Sequence, residues 1–144
     1  MHFNGQEQFE IDQQTLWDRL TDMNFISSLI PDRERTEEIG DRRFSCRVRP
    51  SLGFFKGSLR LAFDIVDSQP TDQLAVRVVG KGIGASVTVN VSMRLAAADV
   101  GSTLDWEAVV AERRGLLKPI SIDLIQGAAE RVISDFWGSF RGAI

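Results

Sequence analysis

The stretch LRLAFDIVDSQPTDQLAVRVVGKGIGASVTVNVSMRLAAADVGSTLDWEAVV, residues 59–110, alternates apolar and polar side chains with a period of two along most of its length. In its first run, preceded by Phe55, the residues Leu59, Leu61, Phe63 and Ile65 share one face. Lys56, Ser58, Arg60 and Asp64 share the other, so one face is buried and the other wet. The pattern continues through Leu74, Val76 and Val78, then through Val87, Val89, Val91, Met93 and Leu95, and finally through Leu104, Trp106, Ala108 and Val110. The breaks between runs are Gln69-Pro70-Thr71-Asp72, Gly82-Ile83-Gly84 and Asp99-Val100-Gly101. Each is a short turn, too short for a crossover helix, so consecutive strands must be antiparallel neighbours. Gly80, Gly82 and Gly84 have no helix after them, so they read as hairpin geometry and not as a phosphate loop.

Working outward, Gly40-Asp41 is a two-residue hairpin signal. Taken as the turn centre, it pairs Glu38 with Arg43 and Glu34 with Arg47 on one face, and Glu37 with Phe44 and Arg35 with Cys46 on the other. That register makes Arg42, Arg43, Arg47 and Arg49 part of a solvated, salt-bridged face, and it turns Arg35 and Glu37 towards the apolar side. Towards the amino terminus, Phe3–Ile11 alternates loosely. Asp12 then caps a short helix carrying Leu16, Trp17 and Leu20, and Asp22 caps a second with Met23, Phe25, Ile26, Leu29 and Ile30, ended by Pro31. From Pro119 the period returns to 3.6, with Ile120, Leu124, Ile125, Ala128, Ala129, Val132, Ile133, Phe136, Trp137 and Phe140 on one broad face. A single helix over residues 118–142 is therefore expected across the sheet's apolar face. The fold class is α+β: a curved antiparallel sheet of about six to seven strands wrapped on a long carboxy-terminal helix, with two short helices after the first strand.

Composition bounds the function. The chain has 144 residues, enough for one domain spanning 1–144, and a formal charge of −3 provides no positive field for nucleic acid. Cys46 is the sole cysteine, and no Cys/His cluster has zinc-site spacing, so neither a disulfide nor a metal is expected, and no cofactor. Glu7, Glu10 and Asp12 stand where a signal peptide would be basic and then apolar. No apolar run is long enough to span a bilayer, so the expected location is the cytoplasm, with at most a peripheral attachment to membrane through partners. His2 sits at a terminus expected to fray, away from any nucleophile, which argues against a serine- or cysteine-type triad. Cys46 faces inward in this register as packing. Asn90-Val91-Ser92 matches a glycosylation sequon but falls in mid-strand.

This order of elements resembles the helix-grip fold of the START-like superfamily, which includes the polyketide cyclases and the birch-pollen-allergen-like proteins. Within it, Phe3-Asn4-Gly5, Leu29-Ile30-Pro31, Gly80-Lys81-Gly82 and Leu124-Ile125-Gln126-Gly127-Ala128-Ala129 leading to Phe136-Trp137 resemble the carbon monoxide dehydrogenase G-subunit family. The chain departs from that pattern at Asp32, where the family usually has glycine, and at Leu116-Leu117-Lys118-Pro119, where small residues are common. Many relatives also carry a tail suited to membrane attachment beyond the point where this chain stops, at Ile144, so the grip itself is expected to be the functional part.

The resemblance implies an apolar cavity between sheet and helix. Its expected walls are Leu59, Leu61, Phe63, Val76, Val89, Val91 and Trp106 on the sheet, and Leu124, Ile125, Ala128, Val132 and Phe136 on the helix. Phe25, Ile26 and Leu29 are expected over one end, with Arg35 and Glu37 at the mouth. A dry void of ~300 Å³ would cost roughly 7 kcal/mol, so such a space is either small or filled. Gly57, Ala108, Gly127, Ala128 and Ala129 fit either a cavity or close packing. Three readings follow. The favoured one is a non-catalytic carrier for a lipid-like or quinone-like molecule, accessory to a carbon monoxide dehydrogenase-type enzyme. The alternatives are an assembly factor for a molybdenum-containing dehydrogenase, with that complex as its protein partner, and a small lyase or cyclase using Arg35, Glu37 or Asp64. Oligomeric state is not legible in the sequence.

Overall fold

The computed structural model describes residues 1–51, 53 and 56–144, so Phe55 lies outside the described residues. The chain runs β1 (His2–Phe9), α1 (Gln13–Leu20), α2 (Met23–Ser28), β2 (Arg33–Ile39), β3 (Arg43–Val48), β4 (Leu59–Gln69), β5 (Gln73–Gly82), β6 (Ala85–Ala97), β7 (Ser102–Gly115) and α3 (Ile122–Ala143). The seven strands pair in the order β1-β7-β6-β5-β4-β3-β2, antiparallel throughout. The first two strands thus occupy opposite edges, and α1 and α2 carry the chain between them. Both short helices start at the expected caps: Asp12 accepts from the Thr15 amide at 2.8 Å and Asp22 from the Phe25 amide at 3.1 Å. The long helix begins at Ile122, a turn later than expected, because Ser121 provides the cap by accepting from the Leu124 amide at 3.3 Å. Before it, the Arg113 guanidinium donates to the carbonyls of Leu117 and Ile120, both at 3.3 Å, and holds the linker as a turn.

The first hairpin differs from the expected register. The Gly40 amide donates to the Arg43 carbonyl at 2.7 Å, so Asp41-Arg42 is the turn centre, one residue later than Gly40-Asp41. Ile39 then lies opposite Phe44, and Glu38 opposite Ser45. Irregularities at Glu37 and Glu34 place Thr36 opposite Cys46 and Arg35 opposite Arg47. A slip of one residue exchanges the two faces of a strand. Arg35 therefore points to the outer face, where Glu37 lies 3.6 Å from Arg60 and 4.0 Å from Arg35. The salt-bridged outer face exists with other partners: Arg43 meets Asp64 at 3.4 Å and Arg49 meets Glu34 at 2.9 Å. His2, expected to fray, is instead paired within β1 and lies 2.9 Å from Glu107.

The connections alternate between two ends of the sheet. The β1–α1, β2–β3, β4–β5 and β6–β7 junctions share one end, and the β3–β4, β5–β6 and β7–α3 junctions share the other. The helix α3 spans from the second end to the first. At the first end its last turns are locked down. Phe140 is fully buried and meets Phe9, Phe25 and Trp137 edge-on, at centroid distances of 5.4, 5.8 and 5.6 Å. Arg141 stacks 4.5 Å over the Phe9 ring, donates to the Gln8 carbonyl at 2.6 Å and pairs with Glu7 at 3.2 Å. The short helices complete this core, with Leu16, Trp17, Leu20, Met23 and Ile26 all buried. α1 packs on β6 and β7, and α2 on β3.

Candidate functional site

Burial along the inner face changes between the two ends. Near the locked end, Leu74, Val76, Met93, Leu95 and Leu104 are buried, as are Trp137 and Phe140 above them. Further along the same strands, Leu59, Leu61, Phe63, Val78, Val87, Val89 and Val91 are only half-buried; Trp106 is half-buried too, but it stands in the row of Met93 and Leu74. The facing side of α3 matches: Ile125, Ala128, Ala129, Ile133 and Phe136 are half-buried, while Val132 and Leu124 are 40% and 56% exposed. Apolar side chains are therefore left half-exposed both on the inner face of the sheet and on α3, although Leu59, Leu61, Phe63, Val78, Val91, Ile133 and Phe136 pack against the core. Polar ties hold the helix here, through Arg131 to the Ser51 carbonyl at 2.5 Å and through Arg113 to the linker.

Of the expected lining residues, Leu59, Leu61, Phe63, Val89, Val91 and Trp106 are half-buried on the sheet, and Ile125, Ala128 and Phe136 are half-buried on the helix. Val76 lies in the sealed part, 1% exposed. Leu124, in the first turn of α3, faces largely into solvent. Ile26 is part of the core, Phe25 seats on Phe140, and Leu29 is half-buried beside them, so α2 closes the side near the locked end. Arg35 and Glu37 are not at the mouth, for the register reason given above. Asp64 also lies on the outer face, opposite Arg77 and beside Arg43. All three polar groups of a lyase reading are thus separated from the apolar walls by the sheet itself.

A cleft of about 680 Å³ opens from the side, between β1 and the carboxy-terminal half of α3. Phe3, Trp106, Ile133 and Trp137 form its apolar part, and His2, Glu7, Gln126, Glu130 and Arg141 its rim. Trp106 belongs both to this cleft and to the inner wall. Its ring lies across Gly5 so closely that a Cβ there would sit 2.7 Å from it, and its indole Nε1 is buried without a hydrogen-bond partner. A hollow of about 710 Å³ lies on the outer face instead, among polar groups such as Asn4, Gln6, Arg94 and Asp105. Its walls are wrong for an apolar guest.

The sequence reading missed Gly5 as the seat of Trp106, and Phe3, Ile133 and Trp137 as cleft residues. Their signal was present, since Phe3-Asn4-Gly5 lies in strand register and Ile133 and Trp137 lie on the helix's apolar face. What was missing was the pairing of β1 with β7. It also missed Arg33, which lies opposite Val48 on the inner side of the edge strand and donates to Thr36 Oγ1 at 2.7 Å. Burial pushes the Cys46 thiol up, with Arg33 opposing and Glu37 adding to the shift. This is the behaviour of a packed, protonated thiol. Among the described residues no three His, Cys, Asp or Glu side chains cluster as metal ligands, and no helix is long and apolar enough to cross a membrane.

A family model for the carbon monoxide dehydrogenase G-subunit (CoxG) matches residues 5–144. The chain belongs to this family. No curated protein matches the CoxG-family chain closely enough to count as a relative. Among solved structures, a conserved protein from Geobacillus kaustophilus superposes with a TM-score of 0.87 at 21% identity, covering 99% of this chain and 94% of its own. A START superfamily protein from Mycobacterium smegmatis gives 0.71 at 8% identity, with 99% and 96% covered. Ara h 8.0201 gives 0.67 at 13% identity, again with 99% and 96% covered. The expected helix-grip, START-like architecture is thus the fold of this CoxG-family chain.

Proposed function

We propose that this protein is a non-catalytic carrier for a mostly apolar small molecule, lipid-like or quinone-like, held between the open half of the sheet and α3. The observation that carries the reading is the set of apolar side chains left half-exposed on the inner face of the sheet and on α3, within a fold whose other half is sealed. Apolar surface in contact with water costs about 25 cal/mol per Å², and a guest of matching character would recover that energy on both walls at once. The lateral cleft beside Trp106 is a route in that leaves the aromatic lock at Phe140 intact.

Residues 1–144 work as one unit in this reading, in the cytoplasm or at the membrane periphery. Membership of the CoxG family supports a role accessory to a carbon monoxide dehydrogenase-type enzyme, either handing it a cargo or assisting its assembly. The test is native mass spectrometry of freshly purified protein, followed by titration with a short-chain quinone analogue read through Trp106 and Trp137 fluorescence. A copurified apolar mass, or saturable quenching by the analogue, is expected. An empty protein that also gives no saturable quenching overturns the carrier reading.

A further inference from the structure

The sheet has two open edges, and they are built differently. At one edge β2 carries Arg33, Glu34, Arg35, Glu37 and Glu38, and two irregularities interrupt its pairing with β3. Charges and bulges are the usual defences of an edge against the addition of another strand. At the other edge β1 lacks both defences along its middle. It pairs with β7 through eight consecutive residues without a register shift, and its exposed outer side chains include the neutral amides of Asn4, Gln6 and Gln8. It contains no lysine, arginine or proline.

Its main chain is also free where it faces outward. The Val110 amide donates to the Met1 carbonyl at 2.9 Å, which makes Met1 and Val110 a hydrogen-bonded pair. Antiparallel alternation then turns the main-chain groups of Phe3, Gly5 and Glu7 towards β7, and those of His2, Asn4, Gln6 and Gln8 towards the open edge. The Gln8 carbonyl agrees, since it accepts from Arg141 of α3. Among the described residues no protein group meets the outward N–H and C=O of His2, Asn4 or Gln6.

Beside these groups lies the lateral cleft, with Phe3, Ile133 and Trp137 in its wall, and on the flank of α3 a Cβ at Gly138 would meet nothing within 4 Å. A strand laid on β1 sends every second side chain into this cleft and the alternate ones to the outer face. Asp105 and Glu107 stand exposed on that outer face, and Glu7 and Glu130 at the cleft rim. The cations nearby are Arg141, already paired with Glu7 at 3.2 Å, and His2, 2.9 Å from Glu107. The edge therefore has a surplus of carboxylates. A second copy of β1 would bring the same carboxylates together, whereas a basic strand is attracted to them.

We propose that β1 receives an extended, basic segment of another protein as an eighth strand of the sheet, with its apolar side chains turned into the cleft and its basic ones turned to Asp105 and Glu107. Main-chain bonds to His2, Asn4 and Gln6 supply affinity, and the alternating side chains supply selectivity. Docking of a strand at this edge does not depend on the chain's being a carrier.

The experiment is amide hydrogen exchange of the full chain, read residue by residue by NMR, with a capped synthetic peptide that alternates valine and lysine. Saturable binding is expected, with exchange at His2, Asn4 and Gln6 slowed about tenfold or more and little change at Phe3, Gly5 and Glu7, whose amides already pair with β7. The same peptide N-methylated at every amide, and a peptide with glutamate in place of lysine, are each expected to bind at least about tenfold more weakly. Asn4→Pro removes one outward N–H that the β1–β7 ladder does not use, so it should weaken peptide binding by a similar factor while the melting temperature stays close to the parent's. If that variant does not fold, the N-methylated peptide on the parent chain decides. Absence of saturable binding overturns the assignment, as does equal binding of the N-methylated peptide or of the glutamate peptide. So does slow exchange at His2, Asn4 and Gln6 that rises with protein concentration in the absence of peptide, because a second copy then holds the edge.

Discussion

The two ends of α3 sit over the same sheet and are built from similar residues, yet one is sealed and the other is not. At the carboxy-terminal end Trp137 and Phe140 interlock with Phe9 and Phe25, and Arg141 fastens the last turn to β1. At the amino-terminal end Ile125, Ala128 and Ala129 on the helix and Val89 and Val91 on the sheet are all half-buried. Side-chain size explains much of the difference. Rings reach across the distance that a helix keeps from a sheet, whereas alanines do not, so where the helix carries small residues fewer apolar side chains are sealed. The helix is thus held unevenly along its length: its aromatic end is buried, and its alanine end is half-exposed.

Substitutions at the two ends should therefore behave differently. The largest effect is expected for Phe140→Ala, which removes the ring at the centre of the aromatic lock and should cost ~3–5 kcal/mol in denaturant unfolding. Val132→Ala in the open half should change stability by no more than about 0.5 kcal/mol. Similar losses for both would mean that the helix is held evenly and that the comparison is false. Gly101, at the locked end, has a φ of +77°, and the Phe9 carbonyl oxygen lies where its Cβ would be. Gly101→Ala should accordingly cost about 2 kcal/mol or more by thermal melt.

The open half is tested by filling it. Ala128→Phe places a ring in the space assigned to a guest, so stability should hold or rise while binding of the quinone analogue falls at least about tenfold, or about 1.4 kcal/mol. A clear loss of stability with unchanged quenching would mean that the space is already packed. Gly127 gives a gentler measure, since a Cβ there meets nothing within 4 Å. Gly127→Ala should therefore stabilise the helix by roughly 0.5–1 kcal/mol, the opposite sign to Gly101→Ala. The smallest effect concerns pH. Burial holds the Cys46 thiol above its ordinary value of 9.0, so the folded chain keeps a proton that the unfolded chain loses. Stability should decline as pH rises past about 9, and Cys46→Ala should remove that part of the slope when urea midpoints at about pH 8 and about pH 10 are compared. An unchanged slope would mean that Cys46 is not the group responsible.

Where local order decides, the sequence was sufficient. The period of two in residues 59–110, three short turns, the caps at Asp12 and Asp22 and the return to a helical period near Pro119 determined the elements, and short turns made the strands antiparallel neighbours. The first hairpin exceeded that information. Moving the turn centre from Gly40-Asp41 to Asp41-Arg42 and letting Glu34 and Glu37 stand outside the ladder reversed the faces of Arg35 and Glu37, because one residue of slip inverts a strand. Nothing in the local pattern reports a bulge. The inner-face and helix-face residues were legible as sets, but the gradient of burial along them was not. Whether Val76 is sealed and Val89 half-open depends on which helix residue stands above each, a relation between positions far apart in the chain. The same holds for Gly5 beneath Trp106. The sequence by itself determined what each element is. The tertiary structure decided which surfaces face one another and how completely they close, since those depend on distances between chain segments that no local pattern encodes.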